Sequence, residues 1–150
     1  MESQTTILRM RLLAGFATHT VEVDRRALSG IKSRSFRDLL RSLIQDHERH
    51  IEQLLGFVAR DGGAVSERVM TDPKVVGDAM RALDVNVPER TRLLVCQKWE
   101  EHMAEGYEEA IAEKHSLDIQ LIPEKHLADE LRHISMLDGL LADESAYGKA

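Results

Sequence analysis

Apolar side chains recur every three or four residues over four long stretches of this chain, the period of helices that bury one face. The first stretch places Leu8, Leu12, Phe16, Val23 and Ala27 on one stripe, and the second Phe36, Leu40, Leu43, Ile51, Leu54 and Val58. The third carries Leu93, Cys96, Ala104, Tyr107 and Ile111, and the fourth Leu127, Ile134, Leu137 and Leu141. Punctuation bounds these helices at about 6–29, 36–60, 88–115 and 123–143. Thr5-Thr6 caps the first, and Ser29-Gly30 ends it with glycine as a left-handed stop. Ser35 with Asp38 three residues on opens the second, and Asp61-Gly62-Gly63 closes it. Pro88 and Pro123 open the third and fourth, and a small polar tail follows Asp143.

The links set the topology. The first and last are short, so each joins two antiparallel helices into a hairpin. The middle one, about 62–87, is long and holds an N-cap and first-turn proline at Asp72-Pro73, which predicts a short helix over about 73–83. A connection of that length can cross the bundle, so the second and third helices run parallel. That is the topology of an all-α, ferritin-like four-helix bundle, expected here as one domain over residues 1–150. At 1.5 Å per residue each main helix is roughly 30 to 40 Å long, so the four can share one core.

Composition narrows the function. With 150 residues and a single cysteine, Cys96, the chain forms no internal disulfide and no Cys-based zinc site, which suits a cytoplasmic protein. The apolar run Leu12 to Ala17 stops at Thr18-His19, too short for a secretory signal core or a bilayer span. A net charge of -6 argues against nucleic acid as a partner. Against that acidic background Arg25, Arg26, Lys32, Arg34, Arg37 and Arg41 form a local basic cluster, read as a solvated helix corner or as a docking point. The chain contains no Gly-rich phosphate loop, Gly-x-Ser-x-Gly elbow, Walker pattern or Cys/His zinc spacing, so hydrolytic and nucleotide chemistry have no support.

The seven histidines carry the chemistry. His19 falls on the first stripe with Glu22 at its edge, and His47 and His50 fall on the second, three apart on one face. Glu100 lies mid-stripe in the third helix, while His126, Glu130 and His133 lie on the fourth. His102 and His115 are assigned to solvent. A carboxylate without a partner costs several kcal/mol in an apolar core, so this convergence asks for compensation. Nitrogen and oxygen donors of this kind suit iron, manganese or zinc, and a pair of ions would satisfy them.

Glu130-Leu131-Arg132-His133, set within Leu127 to Leu137, resembles the Glu-x-x-His helix of ferritin-like and rubrerythrin-like di-iron proteins. Trp99-Glu100-Glu101-His102-Met103-Ala104-Glu105-Gly106-Tyr107 is similar to that family's single-Glu helix, with a Tyr two turns after the ligand. The likeness extends in helix order over nearly the whole chain. It implies a site for two iron ions, with Mn or Zn as alternatives, held by Glu100, Glu130 and His133. It also implies an oxidase- or peroxidase-type role in handling iron and oxygen or peroxide. The family pattern has one Glu on each of two helices and Glu-x-x-His on the other two. Here His47-x-x-His50 stands where the second Glu-x-x-His is expected, unless Asp46 or Glu48 turns inward, and the first helix offers His19 or Glu22. His126 sits one turn from Glu130, beside the site. Metal ions are then the expected partners, with no membrane or nucleic acid, and a homodimer or larger homo-oligomer is left open. The alternative is a helical interaction module whose inward polar groups fix register and whose contact surface is the basic cluster.

Overall fold

The structure is a computed structural model that describes residues 4–60, 73–83, 86–113 and 115–143. Its helices are α1 (Gln4–Leu28), α2 (Arg34–Arg60), α3 (Pro73–Ala82), α4 (Glu89–Ala112) and α5 (Leu117–Ala142). Among the described residues there is no strand, and no helix is long and apolar enough to cross a membrane. α1 packs against α2 and α4, and α5 against the same two, which leaves α2 diagonal to α4.

The apolar core comes in two parts. One joins Val23 and Ala27 of α1, Phe36, Leu40 and Leu43 of α2, Leu93 and Cys96 of α4, and Leu137 and Leu141 of α5. The other joins Met10, Leu13 and Ala17 of α1, Leu54, Phe57 and Val58 of α2, Met103, Tyr107 and Ala110 of α4, and Ile119 of α5. The first part takes the ends of α1 and α5 but the beginnings of α2 and α4. Hence α2 and α4 run parallel, and α1 and α5 run opposite to them, as the long crossover requires. Ala79 of α3 and the adjacent Leu83 cover the first cluster.

Four local expectations change. Pro123 does not open α5; the helix begins at Leu117 and buries Pro123 inside it. Proline removes one N–H from the ladder, and the added turn is held by the Ser116 carbonyl, which accepts from the Ile119 and Gln120 amides. Gln120 Nε2 also donates to the Ile111 carbonyl at 2.9 Å, tying that turn to α4. Gly30 adopts no left-handed φ; a Cβ there would run into the Arg92 guanidinium. Arg92 is buried and donates to the carbonyls of Val87 and Arg26, both at 3.2 Å, so the glycine admits a side chain. Thr5 and Thr6 lie within α1, where Thr6 is buried and its Oγ1 is 2.8 Å from His115 Nδ1. Ser35 likewise lies inside α2, which begins at Arg34. The expected helix stop at Asp61-Gly62-Gly63, the Asp72 cap and the tail after Asp143 lie outside the described residues.

Candidate metal centre

Between the two apolar clusters lies a layer of buried polar side chains. Asp24 comes from α1, His47 and His50 from α2, Glu100 from α4, and Glu130 and His133 from α5, none more than 1% exposed. The spacing does this: residues three apart share a helix face, so His47 with His50 and Glu130 with His133 both point to the axis. Glu100 Oε1 lies 2.6 Å from His47 Nε2, and Glu100 Oε2 lies 3.2 Å from His133 Nδ1. Glu130 Oε1 lies 3.3 Å from His47 Nδ1 and 3.4 Å from His50 Nδ1. Asp24 Oδ2 closes the layer 3.8 Å from His47 Nε2.

An outer ring orients the histidines. His133 Nε2 donates to Asp46 Oδ2 at 2.7 Å, and His50 Nε2 donates to Asp129 Oδ2 at 2.8 Å. Each aspartate belongs to the opposite helix, and each is flanked by arginines. Arg132 reaches Asp46 at 2.9 Å and Asp129 at 3.4 Å, while Arg49 reaches Asp129 at 2.9 Å and Asp46 at 3.1 Å. Histidine ligands commonly have the second ring nitrogen fixed in this way, which sets the tautomer and aims the free nitrogen inward.

Burial sets the protonation of some of these groups and neighbouring charge that of others. It holds the His47 imidazole down to about 4, and with His50 nearby it holds His126 down to about 3. Burial also opposes charge on His133, but the hydrogen bond to Glu100 and the charges of Glu100 and Glu130 outweigh it and raise His133 to about 11. Asp24 is pushed well above the ordinary carboxylate range by burial and then by Glu100, and Glu130 is raised by the same two causes. For Asp46 burial is outweighed by the hydrogen bond and charge of His133 and by Arg49 and Arg132, so its carboxyl is held low.

The decisive feature is what lacks a partner. With His47 and His50 donating from Nε2, both Nδ1 atoms are lone pairs, and both face Glu130 Oε1. None of these three atoms has a hydrogen bond, nor have Glu130 Oε2 or either oxygen of Asp24, although the weakly donating Cys96 thiol lies beside that aspartate. A proton on Glu130 Oε1 can bond only one of the two Nδ1 atoms and leaves the other unpaired, whereas a cation can take lone pairs from several groups at once. One ligand atom each from His47, Glu100, Glu130 and His133 can be chosen so that all four lie within 4.8 Å of one another. Imidazole nitrogen with carboxylate oxygen is a donor set that fits a divalent transition-metal ion.

The remaining candidates fall elsewhere. His19 and Glu22 lie off the layer and face each other at 3.4 Å, with Glu22 half exposed. α1 instead buries Met10, Leu13, Ala17, Thr20, Asp24 and Ala27, a second stripe alternating in spacings of three and four, and its carboxylate is Asp24. Asp46 turns to His133, and Glu48 is exposed and pairs with Arg25. His126 stands beside the layer: its Nε2 donates to Gln53 Oε1 at 2.7 Å and its Nδ1 accepts from the Tyr107 hydroxyl at 3.2 Å. His102 is exposed as expected, but the His115 side chain is buried against Thr6. In the basic cluster Arg37 donates to the Leu28 and Ile31 carbonyls, and Arg34 and Arg41 approach Asp38. The Arg37 contacts tie the corner between α1 and α2, while the two Asp38 pairs lie along α2.

No family model and no curated protein matches the sequence. Among solved structures the chain is similar to a ferritin-like, diiron-carboxylate protein from Bacillus anthracis str. Ames, at 18% identity and a TM-score of 0.70. The alignment covers 92% of this chain and 96% of that one. With its parallel α2 and α4, its crossover and a buried His/Glu layer compatible with a metal site, the chain has the ferritin-like fold.

Proposed function

We propose that the polar layer binds transition-metal ions, two iron ions foremost, and that the protein works in iron and oxygen or peroxide handling. The observation that carries this is the meeting of His47 Nδ1, His50 Nδ1 and Glu130 Oε1 at 3.3 to 3.4 Å with no hydrogen bond to any of the three. Di-iron bundles use six side chains, four carboxylates and two imidazoles. Here Asp24, Glu100, Glu130, His47, His50 and His133 also make six, in equal numbers. The description of the Bacillus structure as a diiron-carboxylate protein supports the same reading.

Bound iron would supply redox chemistry toward oxygen or peroxide. The chain's own residues do the rest. Glu100 and Glu130 reach between His47 and His133 to hold the ions, and Asp46 and Asp129 keep two imidazoles aimed inward. The apolar clusters on either side keep water from the layer.

Metal analysis of protein purified without chelator tests this, with about two ions per chain expected by analogy with six-ligand sites. The double variant Glu130→Ala/His133→Ala should carry little metal. Adding Fe(II), Mn(II) or Zn(II) should raise the melting temperature of the wild type alone, because a ligand bound only by the native state stabilises it by about 2.7 kcal/mol at a hundredfold excess over Kd. Equal, negligible metal in both proteins and no thermal response would overturn the proposal.

A further inference from the structure

Beside the polar layer, α2 and α5 part to leave a cavity of about 580 Å³, within the range of small-ligand sites. Phe57, Leu121 and Ile122 give it an apolar wall, and Gln53 and His126 form one polar end. His126 is buried and stacks on His50 with ring centroids 3.9 Å apart. A single imidazole therefore separates the cavity from the proposed metal ligands. Around the rim, Glu52 and Asp118 balance Arg60 and Lys125, so the mouth favours neither an anion nor a cation.

Gly56 is the second observation. Glycine inside a helix weakens it, and such a residue usually marks a close approach. At Gly56 a Cβ would meet no atom within 4 Å. Packing does not require the glycine there; Gly56 is exposed and borders the cavity, so a large side chain at this position would enter it.

We infer that this cavity binds a small uncharged organic molecule, its apolar body on Phe57, Leu121 and Ile122 and one hydrogen-bonding head accepting from the side-chain amide of Gln53, whose Oε1 is held by His126. It thereby delivers that molecule to the edge of the metal layer, a second half that rests on the function proposed above.

The test is an NMR titration of the full chain with 1-octanol, using octanoate and octylammonium as charged comparisons. Saturable shifts are expected at residues 53–57 and 121–126, with octanol binding about tenfold tighter than either charged chain. Gly56→Trp places an indole in the cavity and should weaken octanol about tenfold or more, while Gly56→Ala, whose Cβ meets no atom within 4 Å, should leave it within about twofold. Loading with Mn(II) should broaden the head-group protons of bound octanol, and Zn(II) should not. No saturable shift, unchanged binding in Gly56→Trp, or tighter binding of a charged chain overturns the pocket, even if Mn(II) binds. Failure of Mn(II) to bind overturns the delivery to metal, while the octanol shifts still decide the pocket.

Discussion

The two helices that frame the polar layer carry the same five-residue pattern with two differences, one facing inward and one facing out. Asp46-His47-Glu48-Arg49-His50 in α2 and Asp129-Glu130-Leu131-Arg132-His133 in α5 share an aspartate, an arginine and a terminal histidine in register. Across the bundle each aspartate takes the other segment's histidine, and each arginine reaches both aspartates. The outer halves are near copies related by a local twofold. The inner position is where they part, with an imidazole at His47 and a carboxylate at Glu130. Symmetric supports thus hold an asymmetric pair, and each half can be changed separately.

Removing the shared support should have the largest effect. Asp46→Ala combined with Asp129→Ala frees both imidazoles, and loss of such a partner costs about 10- to 100-fold in metal affinity per site. Titration calorimetry with Zn(II) would read this, and unchanged affinity would show that the ring only closes the surface. Making the inner positions alike is the next step. His47→Glu adds a third carboxylate beside Glu100 and Glu130, which should destabilise the metal-free protein by about 1 to 3 kcal/mol in urea unfolding and leave metal binding intact.

Asp24→Asn should act in the opposite sense. It removes an acid whose charge is disfavoured by burial, so the metal-free protein should gain about 1 kcal/mol while its affinity for metal falls. The smallest effect is a pH dependence. His126 is neutral when folded down to about 3, so below its ordinary value of 6.5 the unfolded chain takes up the proton first. Its contribution is complete above pH 6.5 and declines as pH falls toward 3. The stability difference between wild type and His126→Gln should therefore shrink on acidification by at most about 1.4 kcal/mol per pH unit, and a constant difference would contradict the assignment.

Much of this was readable in the sequence, because α2, α4 and α5 interrupt their apolar stripes sharply. A histidine or glutamate at His47, Glu100 or Glu130 stands out against apolar residues one turn away, Leu43, Cys96 and Ala104, and Leu127 and Ile134. α1 is different. Ile7, Leu8, Met10, Leu12, Leu13, Ala14, Phe16 and Ala17 surround the helix with apolar side chains, so two stripes fit equally well. The one through Phe16 and Val23 brings His19 inward, and the one through Met10, Leu13, Ala17 and Thr20 brings Asp24. Packing against α2 and α4 chose the second, which local pattern alone does not encode. The matching segments in α2 and α5 were present as spacing, but their meaning needed the antiparallel register that sets Asp46 opposite His133. His115 was misplaced because its burial depends on a contact with Thr6 at the far end of the chain.

The split of the apolar core has a consequence for cooperativity. With a polar seam between two clusters bridged by Phe16, the metal-free bundle should open more easily at one end than the other. Ions bound at the seam would clamp α1, α2, α4 and α5 at mid-length and couple the two ends. Amide hydrogen exchange should then show different opening energies around Phe36 and Tyr107 without metal and a common value with it.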